Sequence, residues 1–191
     1  MQVHKRLVLV TAALTVAGGL AAAVSAEAET PASVAAHGAR TTEGALRFPG
    51  TYQWLPEHFS GPCITAHGGV RKGAKIDQYR CVGQSNQKWY VEALDFHNAY
   101  RIHPARKMGL CVDIPGNYRK GTQLILWNCN GRTNQSFVFN CGSRQRNCQI
   151  WPYAGGQHTK CLAVKGGKTA NNTPLVLWRC NGARDQKFTF R

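Results

Sequence analysis

Eight cysteines, all after residue 60, fall in a rhythm that ties the fold to a repeated unit. Cys63 and Cys81 are 18 residues apart, Cys111 and Cys129 are 18 apart, and Cys161 and Cys180 are 19 apart. The first member of each pair advances by 48 and then by 50 residues. The flanks keep the same step. Asn86-Gln87-Lys88-Trp89, Asn134-Gln135-Ser136-Phe137 and Asp185-Gln186-Lys187-Phe188 each follow a second cysteine. Tyr79, Trp127 and Trp178 each stand two residues before one. Similarity at this step marks a domain made of copies of one small unit. A repeated unit selects Cys63–Cys81, Cys111–Cys129 and Cys161–Cys180, which leaves Cys141–Cys148 as the fourth bridge.

The rest of the chain sets the context for those bridges. Lys5 and Arg6 precede an uncharged run from Leu7 to Ala23, and Val24-Ser25-Ala26 closes it with small residues. This pattern predicts a signal peptide over residues 1–26. A secreted, extracellular protein would carry its cysteines oxidised. No Cys-x-x-Cys occurs, so neither a metal nor another cofactor is expected. Residues 27–48 are poor in large apolar side chains and are expected to form a flexible leader. The folded domain is expected over 49–191, in repeats of about 49–96, 97–143 and 144–191. No later segment resembles a membrane span, so none is expected in the mature chain.

Each repeat reads as short strands. Trp89 and Val91, Phe137 and Phe139, and Phe188 and Phe190 alternate with polar residues, the period of a half-buried strand. Runs near 61–66, 108–114 and 160–164 lead into the first cysteines, and runs near 75–81, 122–129 and 174–180 into the second. Earlier runs at 51–54, 100–102 and 148–151 complete four strands per repeat. Gly68-Gly69, Pro115-Gly116-Asn117 and Gly166-Gly167 punctuate them. No helical period is sustained. The expected class is all-β, with strands that pair or close to protect their edges. Cys141–Cys148 is expected to close a hairpin around the basic tip Arg144–Arg146.

Three units, each with a C-x-[D]-x element at one end and Q-x-[WF] at the other, resemble the ricin-type lectin domain. The resemblance covers residues 49–191. It implies a β-trefoil, with six barrel strands and three capping hairpins in threefold pseudo-symmetry. It also implies sugar binding through an Asp two residues after the first cysteine, an aromatic two before the second, a Gln four before it, and the Asn of N-Q-x-W. A flat aromatic ring suits the apolar face of a sugar, and fixed polar groups suit its hydroxyls.

The second repeat matches this pattern best. Asp113, Trp127 and Asn134 occupy three of the positions, and Gln135 is expected to orient Asp113. Ile125 stands where the resemblance implies Gln. The first repeat has Thr65 in place of the acid but keeps Tyr79 and Asn86, with Asp77 as an acceptor from another place. The third has Ala163 and Val176 in place of the Asp and Gln, so no ordinary site is expected there.

The expected function is a secreted carbohydrate-binding module without catalysis. Its partner would be a glycan or polysaccharide. Neither Gly-x-Ser-x-Gly nor His-Glu-x-x-His occurs. From residue 49 onward the acids are Glu57, Asp77, Glu92, Asp95, Asp113 and Asp185, and no pattern among them marks a glycosidase pair. The chain carries +15, which falls to +13 without Lys5 and Arg6. Arg71-Lys72, Arg119-Lys120, Lys165 and Lys168 lie in matching loops expected to border the sugar sites. This charge allows an acidic glycan as ligand. Specific recognition of nucleic acid is not expected. Two alternatives are a protein-binding trefoil, such as an inhibitor or toxin delivery subunit, and a purely charge-driven polyanion binder. The sequons at Asn134 and Asn171 are read as accidental.

Overall fold

The computed structural model describes residues 48–58, 60–95, 99–154 and 158–191. The expected signal peptide, and all of the expected leader except Phe48, lie outside these residues. The described chain forms twelve strands. The first repeat holds β1 (Gly50–Pro56), β2 (Pro62–Ala66), β3 (Ile76–Arg80) and β4 (Lys88–Ala93). The second holds β5 (Ala99–Pro104), β6 (Leu110–Asp113), β7 (Ile125–Asn128) and β8 (Phe137–Asn140). The third holds β9 (Cys148–Pro152), β10 (Lys160–Val164), β11 (Thr173–Arg179) and β12 (Lys187–Phe190).

Six strands close a barrel in the order β1-β12-β9-β8-β5-β4, so these strands have no free edge. The remaining strands form three hairpins, β2–β3, β6–β7 and β10–β11. The fold is a β-trefoil. The hairpins join around the pseudo-threefold axis through backbone bonds. The Ile76 amide donates to the Leu124 carbonyl at 2.9 Å, and the Leu124 amide donates to the Leu175 carbonyl at 3.0 Å. Strand β11 returns to β3 at Thr173↔Gln78.

Alternation along the strands builds the core. Trp89, Phe137 and Phe188 point inward and are fully buried. Burying one such ring stabilises the fold by about 1.5–3 kcal/mol. Trp54 stacks on Phe190 at 5.6 Å, and Phe190 stacks on Phe139 at 5.4 Å. Phe48, the last residue of the expected leader, packs edge-on against Tyr52, Tyr100, Phe139 and Phe190. The folded domain therefore includes Phe48, one residue earlier than its sequence boundary. Composition, which suggests a leader here, does not register a single anchoring ring.

All four bridges form as the repeat predicts. A closed loop of this size adds about 3 kcal/mol in the chain-entropy description. Cys141–Cys148 does close the β8–β9 hairpin. Among the described residues five short 3₁₀ turns also occur, three of them carrying the glutamines that precede the inward rings; the strand alternation does not mark them.

Those glutamines, Gln87, Gln135 and Gln186, are fully buried. Each accepts through Oε1 from an amide five residues back, at Val82, Asn130 and Asn181. Each donates through Nε2 to a carbonyl seven residues back, at Arg80, Asn128 and Arg179. One side chain thus satisfies two backbone groups that no strand serves. Gln186→Leu, in the repeat where Ala163 replaces the acid, should lower unfolding free energy by about 1–3 kcal/mol. Urea denaturation checks this; a loss under about 0.5 kcal/mol would mean that water serves those groups equally well.

Candidate functional site

The second repeat gathers Asp113, Trp127 and Asn134 into one cavity of about 930 Å³, with Gln135 buried behind it. Asp113 ends β6 and Trp127 lies on β7, and the register places Cys111 opposite Trp127. The 3₁₀ turn Thr133–Gln135 brings in the two amides. Asn134 Nδ2 donates to Asp113 Oδ2 at 2.8 Å, and Gln135 Nε2 donates to the same oxygen at 2.7 Å. Asn134 Nδ2 also reaches the Ile114 carbonyl at 3.3 Å, while the Ile114 amide donates to the Asn134 carbonyl at 3.0 Å. Both protein bonds fall on Oδ2. Among the described residues Oδ1 has no protein donor, and the residue lines the cavity.

Asp113 is only 4% exposed. Burial pushes its carboxyl above the ordinary 3.8, and the bonds from Gln135 and Asn134 oppose that rise. The turn after β6 is fixed by Pro115-Gly116, with Gly116 at φ 78°. That value suits the third position of a type II turn, where glycine avoids the Cβ clash. Tyr118 also lines the cavity, a second aromatic that the sequence pattern did not single out. Its place follows from the path of the loop, not from a position in the repeat.

Trp127 remains 39% exposed, a large apolar surface open beside a buried acid. Lys72 Nζ lies 4.2 Å from its ring centroid. Lys120 Nζ lies 4.1 Å from the ring of Trp178 in the same way. Each lysine loop therefore borders the site of the following repeat. The contact crosses repeats because backbone bonds dock the loop there: the Gly73 amide donates to the Leu126 carbonyl at 2.7 Å, and the Gly121 amide to the Leu177 carbonyl at 2.7 Å. Since the pair recurs in the third repeat, where Ala163 replaces the acid, it positions the indole and does not by itself define a site.

The first repeat forms a smaller cavity of about 400 Å³ that includes Asp77, Tyr79 and Asn86. Thr65 takes the place of Asp113, and its Oγ1 accepts from Gln87 at 3.1 Å. Strand register pairs Thr65 with Asp77, so the acid has moved directly across the hairpin. His67 Nδ1 lies 2.6 Å from Asp77 Oδ2, while Asp77 Oδ1 is buried without a partner. Burial raises this carboxyl above its ordinary value, and His67 opposes the rise. His67 escaped the sequence reading. Hairpin register sets His67 opposite Lys75, a diagonal neighbour of Asp77 on the same face. In the third repeat the paired positions are Ala163 and Val176, both buried and apolar. Among the described residues, His103, Cys111 and Cys129 bring potential metal ligands together, but both sulfurs are spent in a disulfide.

Fold and cavity together define a β-trefoil bearing a shallow pocket of acid, amide and indole. The sequence matches the ricin-type beta-trefoil lectin domain over residues 98–191. It matches the ricin-type beta-trefoil lectin domain-like family over residues 47–127. The chain belongs to the ricin-type β-trefoil lectin family, a class of carbohydrate-binding modules. No functionally curated protein matches it. Among solved structures it is similar to the ricin B-like lectin of Macrolepiota procera in complex with lactose. There the identity is 21% and the TM-score 0.61, over 76% of this chain and 96% of that one. It is similar to the Polyporus squamosus lectin bound to Neu5Acα2-6Galβ1-4GlcNAc, with 17% identity and a TM-score of 0.62, over 76% and 50%. It is also similar to an exo-β-1,3-galactanase from Clostridium thermocellum, with 22% identity and a TM-score of 0.64, over 76% and 30%. At these identities the likeness is one of fold. Among the described residues, no helix is long and apolar enough to cross a membrane.

The geometry fixes a titration. The carboxyl carbon of Asp113, followed by NMR, should titrate with a midpoint above 3.8. Asn134→Ala removes a bond that favours the ionised form and should move that midpoint further up. A midpoint at or below the ordinary value would contradict the burial described here.

Proposed function

We propose that this chain is a secreted, non-catalytic carbohydrate-binding module whose working sugar site is the second-repeat pocket around Asp113, Trp127 and Asn134. The carboxylate arrangement carries the reading. Gln135 and Asn134 hold Oδ2, which leaves Oδ1 as an acceptor beside an exposed indole. Adjacent sugar hydroxyls donate to the carboxylate, and the apolar face of the ring stacks on Trp127. Gln135 acts as a positioning residue, since it is fully buried and reaches the sugar only through Asp113.

Export is supported by the basic and apolar amino terminus and by four disulfides, which persist in oxidising compartments. A non-catalytic role is supported by the cavity itself. Asp113 is the one acid in its lining, whereas glycoside hydrolysis uses two carboxylates about 5–9.5 Å apart. The first repeat offers a weaker site at Asp77, Tyr79 and Asn86, because His67 holds Oδ2 and the remaining oxygen, Oδ1, is buried. The third repeat has Ala163 in place of the acid and contributes no ordinary site. Glycosylation at Asn134 does not fit, since its Nδ2 is already bonded to Asp113.

A single shallow pocket should bind a monosaccharide with a Kd on the order of 0.1–1 mM. A glycan array, followed by calorimetry on the best ligand, tests the reading. Asp113→Asn and Trp127→Ala should each weaken binding by roughly tenfold or more. Neutral-sugar binding should survive high salt, since stacking and hydrogen bonds are little screened. Binding requires ionised Asp113, whose pKa is raised, so affinity should fall on acidification with a midpoint above 3.8. Wild-type affinity in Asp113→Asn, or no ligand on the array, would sink the proposal.

A further inference from the structure

Away from the sugar pocket, unpaired positive charge gathers beside one hairpin. Cys141–Cys148 clamps the turn between β8 and β9. The junction between β4 and β5 has no cysteine, so this clamp departs from the threefold pattern. Within it Arg144, Gln145 and Asn147 hold φ values of 56°, 51° and 53°. This left-handed region is uncommon for residues that carry a Cβ, and such conformations persist where the surroundings fix them. Here the surroundings do. The Gly142 amide donates to the Arg146 carbonyl at 2.8 Å, Gln145 is buried, and the Asn147 amide reaches Glu57 Oε1 at 3.5 Å.

The held turn presents Arg144 and Arg146 to a groove of about 690 Å³ that Arg184 and Arg191 also line. Four arginines face one acid, Glu57. None of the four forms an ion pair with an acid among the described residues. A guanidinium presents paired donors that match a sulfate or carboxylate edge. The groove also contains acceptors and hydroxyls. Glu57 Oε1 accepts from the Thr189 hydroxyl, and Ser60 lies in the lining. Ring hydroxyls of a sugar suit these groups, whereas a run of phosphodiesters gives Glu57 nothing to accept. Binders of single-stranded nucleic acid use exposed rings to stack bases. The phenyl ring in this lining, Phe190, is buried.

We propose that this arginine-lined groove is a second binding site, separate from the Asp113 pocket, that takes the sulfate or carboxylate groups of an anionic glycan. The two sites share no lining residue, so each stands or falls alone.

Fluorescence polarisation at about 150 mM NaCl tests the groove with three labelled probes of equal length: a heparin-derived oligosaccharide, an oligogalacturonate and a single-stranded oligothymidylate. One or both anionic glycans should bind, and the pair distinguishes sulfate from carboxylate. The double variant Arg144→Ala/Arg146→Ala should lose roughly tenfold or more in affinity for the bound glycan. Arg184→Glu, outside the clamped turn, should do the same and guards against a merely misfolded loop. Lys88→Ala/Lys107→Ala, two exposed lysines outside both linings, removes equal charge elsewhere and should change affinity by less than about twofold. The oligothymidylate should bind at least roughly tenfold more weakly than the preferred glycan. Equal losses in the lysine and arginine variants would overturn the site in favour of diffuse charge. Oligothymidylate binding as tight as the glycan's would overturn the ligand class.

Discussion

Each repeat depends on one buried glutamine. Gln87, Gln135 and Gln186 close the loop after the second cysteine by bonding an amide and a carbonyl that no strand reaches. An unpaired buried backbone group costs about 1–3 kcal/mol, so the side chain that serves two of them anchors the local chain path. The disulfide ties the same segment from the other side. The inward ring two residues later, Trp89, Phe137 or Phe188, then enters the barrel core. Strand, turn and core are fixed together, and the pattern recurs because each copy meets the same requirement.

Function is a modification of that anchor. In two repeats the glutamine Nε2 reaches the residue two positions after the first cysteine. In the second repeat it finds Asp113 and holds a carboxylate half-satisfied beside an exposed indole. In the first it finds the hydroxyl of Thr65, and the acid stands across the hairpin at Asp77 under His67. In the third the corresponding residue is Ala163, which is buried and offers no acceptor. A structural interaction present three times has been extended toward a ligand most fully once. The lysine over each tryptophan follows the same logic: Lys72 and Lys120 dock on the next repeat whether or not an acid is there.

The features readable in the sequence were those set by local spacing. The cysteine step predicted all four bridges, and the alternation around Trp89, Phe137 and Phe188 predicted the barrel strands. Asp113, Trp127, Asn134 and Gln135 were legible because their separations are constant within a repeat, and they do converge on one cavity, with Gln135 behind Asp113. What escaped depends on distance in space. His67 meets Asp77 through strand register. Lys72 meets Trp127 because a loop crosses into the next repeat. Arg184 and Arg191 join Arg144 and Arg146 only once the barrel closes. Tyr118 enters the pocket through the course of one loop.

The central claim is that three copies of one unit carry one principal sugar site. Amide and indole chemical-shift mapping of the labelled protein, titrated with its best neutral sugar, tests it directly. The account predicts that the largest shifts fall on the Trp127 indole N–H, the Asn134 side-chain amide and the Asp113 backbone, with smaller ones around Asp77 and none around Trp178. Shifts of equal size in all three repeats, or shifts centred on Trp178, would contradict it.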